Sequence, residues 1–135
     1  MIARQAEQIA RAAHAGQFRF DNVTPYITHP EAVVKRLEGE SEDVLAVAWL
    51  HDVLEDTLVT ASDLLRDGIP PHVVQAVEIL TKPKKSTDYW AYLQQVKSDA
   101  IAHKVKVQDI LHNLSDSPTR RQIIKYAKAL LYLVD

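Results

Sequence analysis

Apolar residues recur at helical spacing along almost the whole chain, whereas the alternation typical of strands is scarce. The 3 glycines and 6 prolines fall between the periodic segments. A chain of 135 residues with 47% hydrophobic content is long enough for one domain with a real core. We therefore predict an all-α fold, a compact single-domain helical bundle of about seven or eight helices that occupies residues 1–135.

Capping residues and glycines set the expected helix boundaries. Thr28 with Glu31, and Thr60 with Asp63, have the spacing of a capping box, and Ser117 precedes a proline in a typical helix start. Glycines follow several periodic segments and are expected to end them. The predicted helices run over approximately 2–15, 28–38, 41–56, 60–67, 71–80, 88–97, 99–114 and 118–134.

Composition excludes several kinds of protein. The net charge of −2 provides no global field that favours nucleic acid or anionic lipid, so we expect neither a nucleic-acid nor a membrane partner. The chain has no cysteine, which excludes disulfides, zinc–thiolate sites and thiol nucleophiles and suits a cytoplasmic location. The N-terminal residues lack the apolar core of a signal peptide, and no apolar run approaches the length of a membrane span.

The adjacent pair His51-Asp52 interrupts an apolar run in the middle of the predicted helix 41–56. Burying an imidazole and a carboxylate is costly unless they have a partner, and a divalent cation accepts both as ligands. Glu55 and Asp56 follow within one helical turn, so this helix presents one histidine and three carboxylates to a small region. The segment therefore predicts a metal site.

Two further ligands are plausible elsewhere in the chain. His29 lies at a helix start after a loop, and Asp109 lies in an otherwise apolar helix. Two imidazole nitrogens and two carboxylate oxygens suit a hard-to-borderline ion such as Mn²⁺, Fe²⁺ or Zn²⁺ and leave room for water. Glu55 and Asp56 would then orient or deprotonate that water.

Each of these residues also has a simpler explanation when it is taken alone. The pair His51-Asp52 could be an ordinary surface or core pair, His29 a helix-start residue, and Asp109 part of a solvated face. The order of the residues along the chain favours the metal site.

Three segments in order carry a family resemblance: Ala13-His14-Ala15-Gly16-Gln17-Phe18-Arg19, Pro25-Tyr26-Ile27-Thr28-His29-Pro30, and Leu50-His51-Asp52-Val53-Leu54-Glu55-Asp56-Thr57. The segments Val77–Lys82 and Lys106–Asp109, with Asn113-Leu114, agree with them. The chain resembles the HD-domain metal-dependent phosphohydrolases, and in particular the hydrolase domain of the RelA/SpoT stringent-response proteins and their small stand-alone relatives. The resemblance extends from about residue 6 to residue 114.

This resemblance implies a Mn²⁺-dependent hydrolase of a small-molecule nucleotide, guanosine 3′,5′-bis-pyrophosphate or its 5′-triphosphate form (ppGpp or pppGpp), which would release pyrophosphate and GDP or GTP respectively. Further roles are implied for nine residues. By resemblance, His29, His51, Asp52 and Asp109 would hold the metal, Glu55 and Asp56 would be the catalytic acid pair, Arg19 would lie against the base, and Tyr26 and Asn113 would line the nucleotide pocket.

Two lysines are further candidates for substrate binding on the basis of their positions. Lys82 belongs to a polar loop with Lys84 and Lys85 that could reach a polyphosphate, although a solvated loop explains most of these charges. Lys106 shares a helix with Asp109 and could face the same site.

Departures from the family pattern keep other functions open. Phe20 follows Arg19 where a basic residue is common, Gln108 and Ile110 flank Asp109 where alanine and a basic residue are usual, and Asp116 would repel phosphate unless it points away. These differences affect the substrate more than the chemistry. The alternatives are an HD-domain nucleotidase or phosphodiesterase that acts on another nucleotide, or a metal-bearing regulatory module without turnover.

Overall fold

The computed structural model describes residues 1–83 and 88–135, and the described residues form nine helices with one isolated bridge between Phe18 and Pro25. The predicted all-α fold is confirmed. The helices are α1 (Ile2–Ala13), α2 (Thr28–Arg36), α3 (Glu42–Leu50), α4 (Val53–Asp56), α5 (Ala61–Arg66), α6 (Pro71–Leu80), α7 (Tyr89–Ser98), α8 (Ala100–Ser115) and α9 (Arg120–Val134).

Helix α3 is the centre of the bundle. It packs against α1, α2, α6 and α8, and six of its nine residues are buried, from Val44 to Leu50 with the exception of Leu45. A helix that is apolar on nearly all sides is stable only inside the core. Because His51 directly follows α3, its side chain lies buried in the interior of the bundle.

The predicted single helix over residues 41–56 is wrong, since it divides at His51 and Asp52 into α3 and α4. In an uninterrupted helix the carbonyl oxygen of Ala48 would accept a hydrogen bond from the backbone of Asp52. Here it accepts one from Nδ1 of His51 at 2.7 Å. The His51 side chain therefore competes with the backbone N–H of Asp52 for this carbonyl oxygen. Because the break divides one predicted helix into two, the described residues form nine helices, whereas at most eight were predicted.

Several predicted helix starts are confirmed by side-chain caps. The hydroxyl of Ser41 accepts from the backbone N–H of Val44, and the carboxylate of Asp99 accepts from the N–H groups of the first turn of α8. Thr60 and Asp63 form the expected capping box, in which each side chain bonds the backbone of the other. These caps satisfy donors that a helix leaves free at its start.

Two other predicted caps are wrong, although α2 starts at Thr28 as predicted. The capping box of Thr28 and Glu31 does not form, because the chain already winds helically at Ile27 and the Thr28 hydroxyl donates to the carbonyl of Pro25 at 2.8 Å. Ser117 does not cap α9, because it lies at a φ of 49° outside the helix. Thr119 caps α9 instead, in a capping box with Gln122.

Helix α9 closes the bundle against α7 and α8 through Ala129 and Leu133. The backbone carbonyls at its end accept hydrogen bonds from Nζ of Lys97 at 2.7 Å and from Nε2 of His103 at 2.6 Å. Basic side chains at this end of a helix satisfy carbonyls that have no partner within the helix.

None of the helices in residues 1–83 and 88–135 combines the length and the apolar character that a membrane crossing requires.

Adjacent leucines of α5 give a matched test of the core. Leu64 is fully buried, whereas Leu65 is 47% exposed. Leu64→Ala is expected to lower the free energy of unfolding by about 2–5 kcal/mol because it leaves a cavity, and Leu65→Ala by about 0.5 kcal/mol or less. Urea unfolding followed by far-UV circular dichroism measures both, and equal losses would contradict this packing.

Candidate metal centre and active site

The four predicted metal ligands converge from three parts of the fold: the first turn of α2, the junction of α3 with α4, and the middle of α8. Nε2 of His29 lies 3.3 Å from Nε2 of His51 and 3.6 Å from Oδ2 of Asp52. Nε2 of His51 lies 3.1 Å from the same oxygen. Oδ1 of Asp109 approaches the two histidine nitrogens at 2.8 and 3.5 Å. Four donor atoms therefore surround one small space.

The break between α3 and α4 orients His51. A carbonyl oxygen only accepts hydrogen bonds, so the bond between Nδ1 of His51 and the Ala48 carbonyl places a proton on Nδ1. In the neutral ring the lone pair then lies on Nε2, which faces His29 and the carboxylates. A backbone carbonyl behind a histidine is a common support for a metal ligand.

Two more of the candidate ligands, His29 and Asp109, also have hydrogen-bond partners behind them. Nδ1 of His29 lies 2.7 Å from Nδ1 of His112. The carboxylate of Asp109 accepts hydrogen bonds from Nζ of Lys106 at 3.0 Å and from Nδ2 of Asn113 at 3.1 Å. Both supporting groups of Asp109 lie on α8, three and four residues away, which is the spacing of one helix face.

Tyr26 supports the fourth candidate ligand, since its hydroxyl donates to Oδ2 of Asp52 at 2.7 Å. Burial raises the pKa of Tyr26, and the charge of Asp52 raises it further, so the phenol keeps its proton. Sequence analysis expected Tyr26 to line a nucleotide pocket. It lines the cleft and also holds a carboxylate of the centre.

The charges of the centre favour a cation. Burial lowers the pKa of His51, but the carboxylates of Asp52 and Asp109 outweigh it and raise that pKa well above its ordinary value. Burial raises the pKa of Asp109, but Lys106 and the two histidines hold it well below its usual range. Two anionic oxygens beside two imidazole nitrogens fit a hard-to-borderline divalent ion. His29, His51 and Asp52 alone already group closely enough for one ion.

Glu55 and Asp56 stand beyond the donor atoms on α4 and line the cleft next to Asp52. Oε1 of Glu55 accepts a hydrogen bond from the backbone N–H of Lys82 at 2.8 Å. Burial raises the pKa of Asp56 to about 6, and the charges of Asp52 and Glu55 add to the increase. A carboxyl group with such a pKa can exchange a proton near neutral pH.

The cleft in front of the centre has a volume of about 620 Å³ and contains Arg19, Phe20 and Asn113 on its far side. The buried guanidinium of Arg19 donates to Oδ2 of Asp116 at 2.8 Å and to Oδ1 of Asn113 at 3.3 Å. Asp116 is therefore neutralised by Arg19 and does not act as a lone negative charge towards phosphate. Phe20 is 74% exposed, with its ring 5.5 Å from the Arg19 guanidinium.

The two lysines predicted to bind substrate occupy different places. Lys106 lines the cleft with its ammonium on Asp109, and Lys82 lies to one side with its ammonium 5.2 Å from the centre of the Tyr89 ring. Their substrate-binding roles stay predictions. Lys84 and Lys85 lie outside the described residues.

Sequence analysis missed Gln17 as a member of the site. Its side chain accepts a hydrogen bond from Nδ1 of the buried His14 at 2.8 Å and donates one to the backbone carbonyl of Asp56 at 2.8 Å. It thereby ties the loop after α1 to the end of α4. No local sequence signal identifies such a contact, because the partners are 39 residues apart.

Comparison with known proteins decides the family. The profile of the HD domain family matches residues 6–132. The chain belongs to the HD domain family. HD domains are metal-dependent, and the His29, His51 and Asp52 cluster provides a possible metal site.

This HD domain is similar to longer curated proteins. A guanosine-3′,5′-bis(diphosphate) 3′-pyrophosphohydrolase of Haemophilus influenzae is 37% identical over 113 residues, which cover 80% of this chain and 16% of the relative. The bifunctional (p)ppGpp synthase/hydrolase SpoT of Escherichia coli is 37% identical over 117 residues, 84% of this chain and 16% of the relative. The matched region is thus about a sixth of these proteins.

Shorter relatives match over a larger share of their length. A Danio rerio guanosine-3′,5′-bis(diphosphate) 3′-pyrophosphohydrolase is 35% identical over 101 residues, 69% of this chain and 56% of the relative. A solved structure, described as a metazoan ortholog of SpoT that hydrolyzes ppGpp and plays a role in starvation responses, matches with a TM-score of 0.83 at 27% identity. The match covers 98% of this chain and 84% of that one.

Metal binding is testable with histidine variants. Saturating Mn²⁺ at about 100 times its dissociation constant is expected to stabilise the protein by about 2.7 kcal/mol, a rise in melting temperature of about 10 °C. His51→Ala should lose this shift because it removes one of the four converging donors. His72→Ala is the control, since His72 is exposed and pairs only with Asp43 among the described residues. Thermal unfolding with Mn²⁺ or chelator checks the prediction, and an unchanged shift in His51→Ala would contradict it.

Proposed function

We propose that this HD domain is a Mn²⁺-dependent hydrolase that removes the 3′-pyrophosphate from guanosine 3′,5′-bis-pyrophosphate, giving pyrophosphate and GDP, or from its 5′-triphosphate form, giving pyrophosphate and GTP. The observation that carries the proposal is the juxtaposition of a four-donor centre with two further acids, Glu55 and Asp56, in a cleft that also contains cationic side chains. A site that only held a structural ion would have no use for the two additional acids.

The relatives support the choice of substrate. Proteins 35% and 37% identical to this chain are named for hydrolysis of this nucleotide, and the matching solved structure is described as that of a protein that hydrolyzes ppGpp. Because the chain spans only 16% of the length of the bacterial relatives, their activity is transferred here as part of the proposal.

His29, His51, Asp52 and Asp109 would hold the cation, with Mn²⁺ as the proposed metal and Fe²⁺ or Zn²⁺ as alternatives. When bound, a divalent ion supplies Lewis acidity and neutralises charge on a phosphoryl group. The protein contributes the fixed donor geometry: the Ala48 carbonyl orients one histidine, and the hydrogen bonds to the carboxylates keep these ligands in place.

The two proton transfers of the reaction would be made by Glu55 as the general base and Asp56 as the general acid. Water attacks the phosphorus atom that bears the ribose 3′ oxygen, and the bond between these two atoms breaks. Glu55 accepts the proton that the water loses, and Asp56, with its pKa of about 6, returns a proton to the ribose oxygen as it leaves. The backbone N–H of Lys82 orients the Glu55 carboxylate for this role.

The nucleoside would bind against Arg19, Tyr26 and Asn113. The Arg19 guanidinium is a flat cation whose position is set by Asp116 and Asn113, and a purine base can stack on such a surface. Lys106 would compensate phosphate charge at the floor of the cleft while it neutralises Asp109.

Phe20 favours a second candidate function. An exposed aromatic ring beside Arg19 supplies an apolar contact where the resemblance leads one to expect a positive charge. Another purine or pyrimidine nucleotide could stack there, so an HD-domain nucleotidase or phosphodiesterase is the alternative.

A substrate panel tests the proposal. Purified protein with Mn²⁺ is expected to release pyrophosphate from guanosine 3′,5′-bis-pyrophosphate faster than it hydrolyses 5′-monophosphates or cyclic nucleotides, and chelator should abolish turnover. Preference for a 5′-monophosphate or a cyclic nucleotide would favour the alternative enzyme. Binding of the nucleotide without any product would favour a regulatory module.

Glu55→Gln tests the acid pair. The substitution removes the charge but keeps the shape, so we expect turnover to fall by about 10²–10⁴-fold while Mn²⁺ still raises the melting temperature. Glu78→Gln is the control, since Glu78 is exposed on α6. Full activity in Glu55→Gln would exclude the assigned role.

A further inference from the structure

Both ring nitrogens of His29 have a partner on α8. Nε2 lies 2.8 Å from Oδ1 of Asp109, and Nδ1 lies 2.7 Å from Nδ1 of His112. Asp109 and His112 are three residues apart, so they share one face of this helix. The centres of the His29 and His112 rings lie 4.9 Å apart, and the ring planes are inclined at 31°. One turn of α8 therefore holds this candidate ligand at two points.

Only one hydrogen atom can lie between the two Nδ1 atoms, because a neutral imidazole has one donor nitrogen and one acceptor nitrogen. When Nδ1 of His29 carries the proton, Nδ1 of His112 accepts the hydrogen bond, and the lone pair of His29 lies on Nε2. When the proton lies on Nδ1 of His112, His29 carries its own proton on Nε2, within reach of Asp109. The first arrangement leaves Nε2 free to bind a cation, and the second does not.

Burial makes His29 depend on this partner. The residue is 1% exposed, so water cannot easily replace His112 as the acceptor for Nδ1. A buried N–H without an acceptor is costly, and the proton would then favour Nε2 and the carboxylate of Asp109. His51 has no such dependence, because its Nδ1 faces the Ala48 carbonyl, which can only accept. The two histidines of the centre are thus supported in different ways.

We propose that His112 is a positioning residue for the metal centre: its Nδ1 accepts the hydrogen bond from Nδ1 of His29 and thereby keeps the lone pair of His29 on Nε2. This inference rests on the metal site of the proposed function but not on the choice of substrate. It gives a role in metal binding to a residue that is not one of the four converging donors. The role requires a neutral His112 ring with its proton on Nε2.

Nitrogen-15 NMR of the imidazole rings tests this tautomer in the wild-type protein. Zn²⁺ replaces Mn²⁺ in this measurement because it is diamagnetic, and the spectrum of a His112 variant assigns the signals. In slightly alkaline solution we expect His112 to have an unprotonated Nδ1 and a protonated Nε2. A proton on Nδ1 of His112 would overturn the proposal, and this result does not depend on the folding of any variant.

The affinity for Mn²⁺, measured by calorimetry, tests what the contact does. His112→Leu removes the acceptor and keeps apolar bulk, and we expect Mn²⁺ to bind about 10–100-fold more weakly, as is usual when a partner of a metal-binding histidine is removed. His112→Asn should retain most of the affinity, because its Oδ1 takes the position of Nδ1 and accepts the same hydrogen bond. Unchanged affinity in His112→Leu, or an equal loss in both variants, would overturn the proposal.

His103→Leu is the matched control. His103 lies on the same helix, and its Nε2 bonds the backbone carbonyl of Leu133 at 2.6 Å. Its loss is expected to lower the melting temperature and leave the Mn²⁺ dissociation constant unchanged, so an equal loss of Mn²⁺ affinity in this variant would also overturn the role of His112. Failure of the proposed function looks different: Mn²⁺ binding would depend on His112 as described, while the wild-type protein left guanosine 3′,5′-bis-pyrophosphate intact.

Discussion

The hydrogen bond from Nδ1 of His51 to the carbonyl of Ala48 connects the core helix α3 of this HD domain to its candidate metal centre. It interrupts the central helix at the point where the chain leaves the apolar interior. It also sets which ring nitrogen faces the other donors, and α4, which carries Glu55 and Asp56, begins directly after the break. Because α3 is packed on nearly all sides, this arrangement is rigid, and the precision of the site derives from the core.

The second constraint is the balance of buried charge. Two carboxylates and two imidazoles would be costly to bury without compensation. Asp109 is compensated by Lys106 on the same helix, and Asp52 accepts a hydrogen bond from the hydroxyl of Tyr26. Each of these compensating groups also faces the cleft. The same side chains thus stabilise the ligands and shape the surface that a substrate would meet.

Much of the fold and the candidate site was predictable from local signals. Thr60 and Asp63 were recognisable as a capping box because a cap depends only on the next three residues. The residue types of His51-Asp52 indicated a metal site before any coordinates. The helix break there was not predictable, because it depends on a side chain that bonds its own helix in preference to the backbone.

Arg19 has a further consequence for molecular recognition. An arginine free in solution samples many rotamers, and immobilising such a side chain costs about 0.5–1.5 kcal/mol on association. Here hydrogen bonds to Asp116 and Asn113 restrain the guanidinium, which lies 5.5 Å from the centre of the Phe20 ring and 6.0 Å from that of the Tyr26 ring. That entropic cost is met during folding, so a nucleobase that stacked there, as proposed, would gain affinity because the guanidinium need not rearrange.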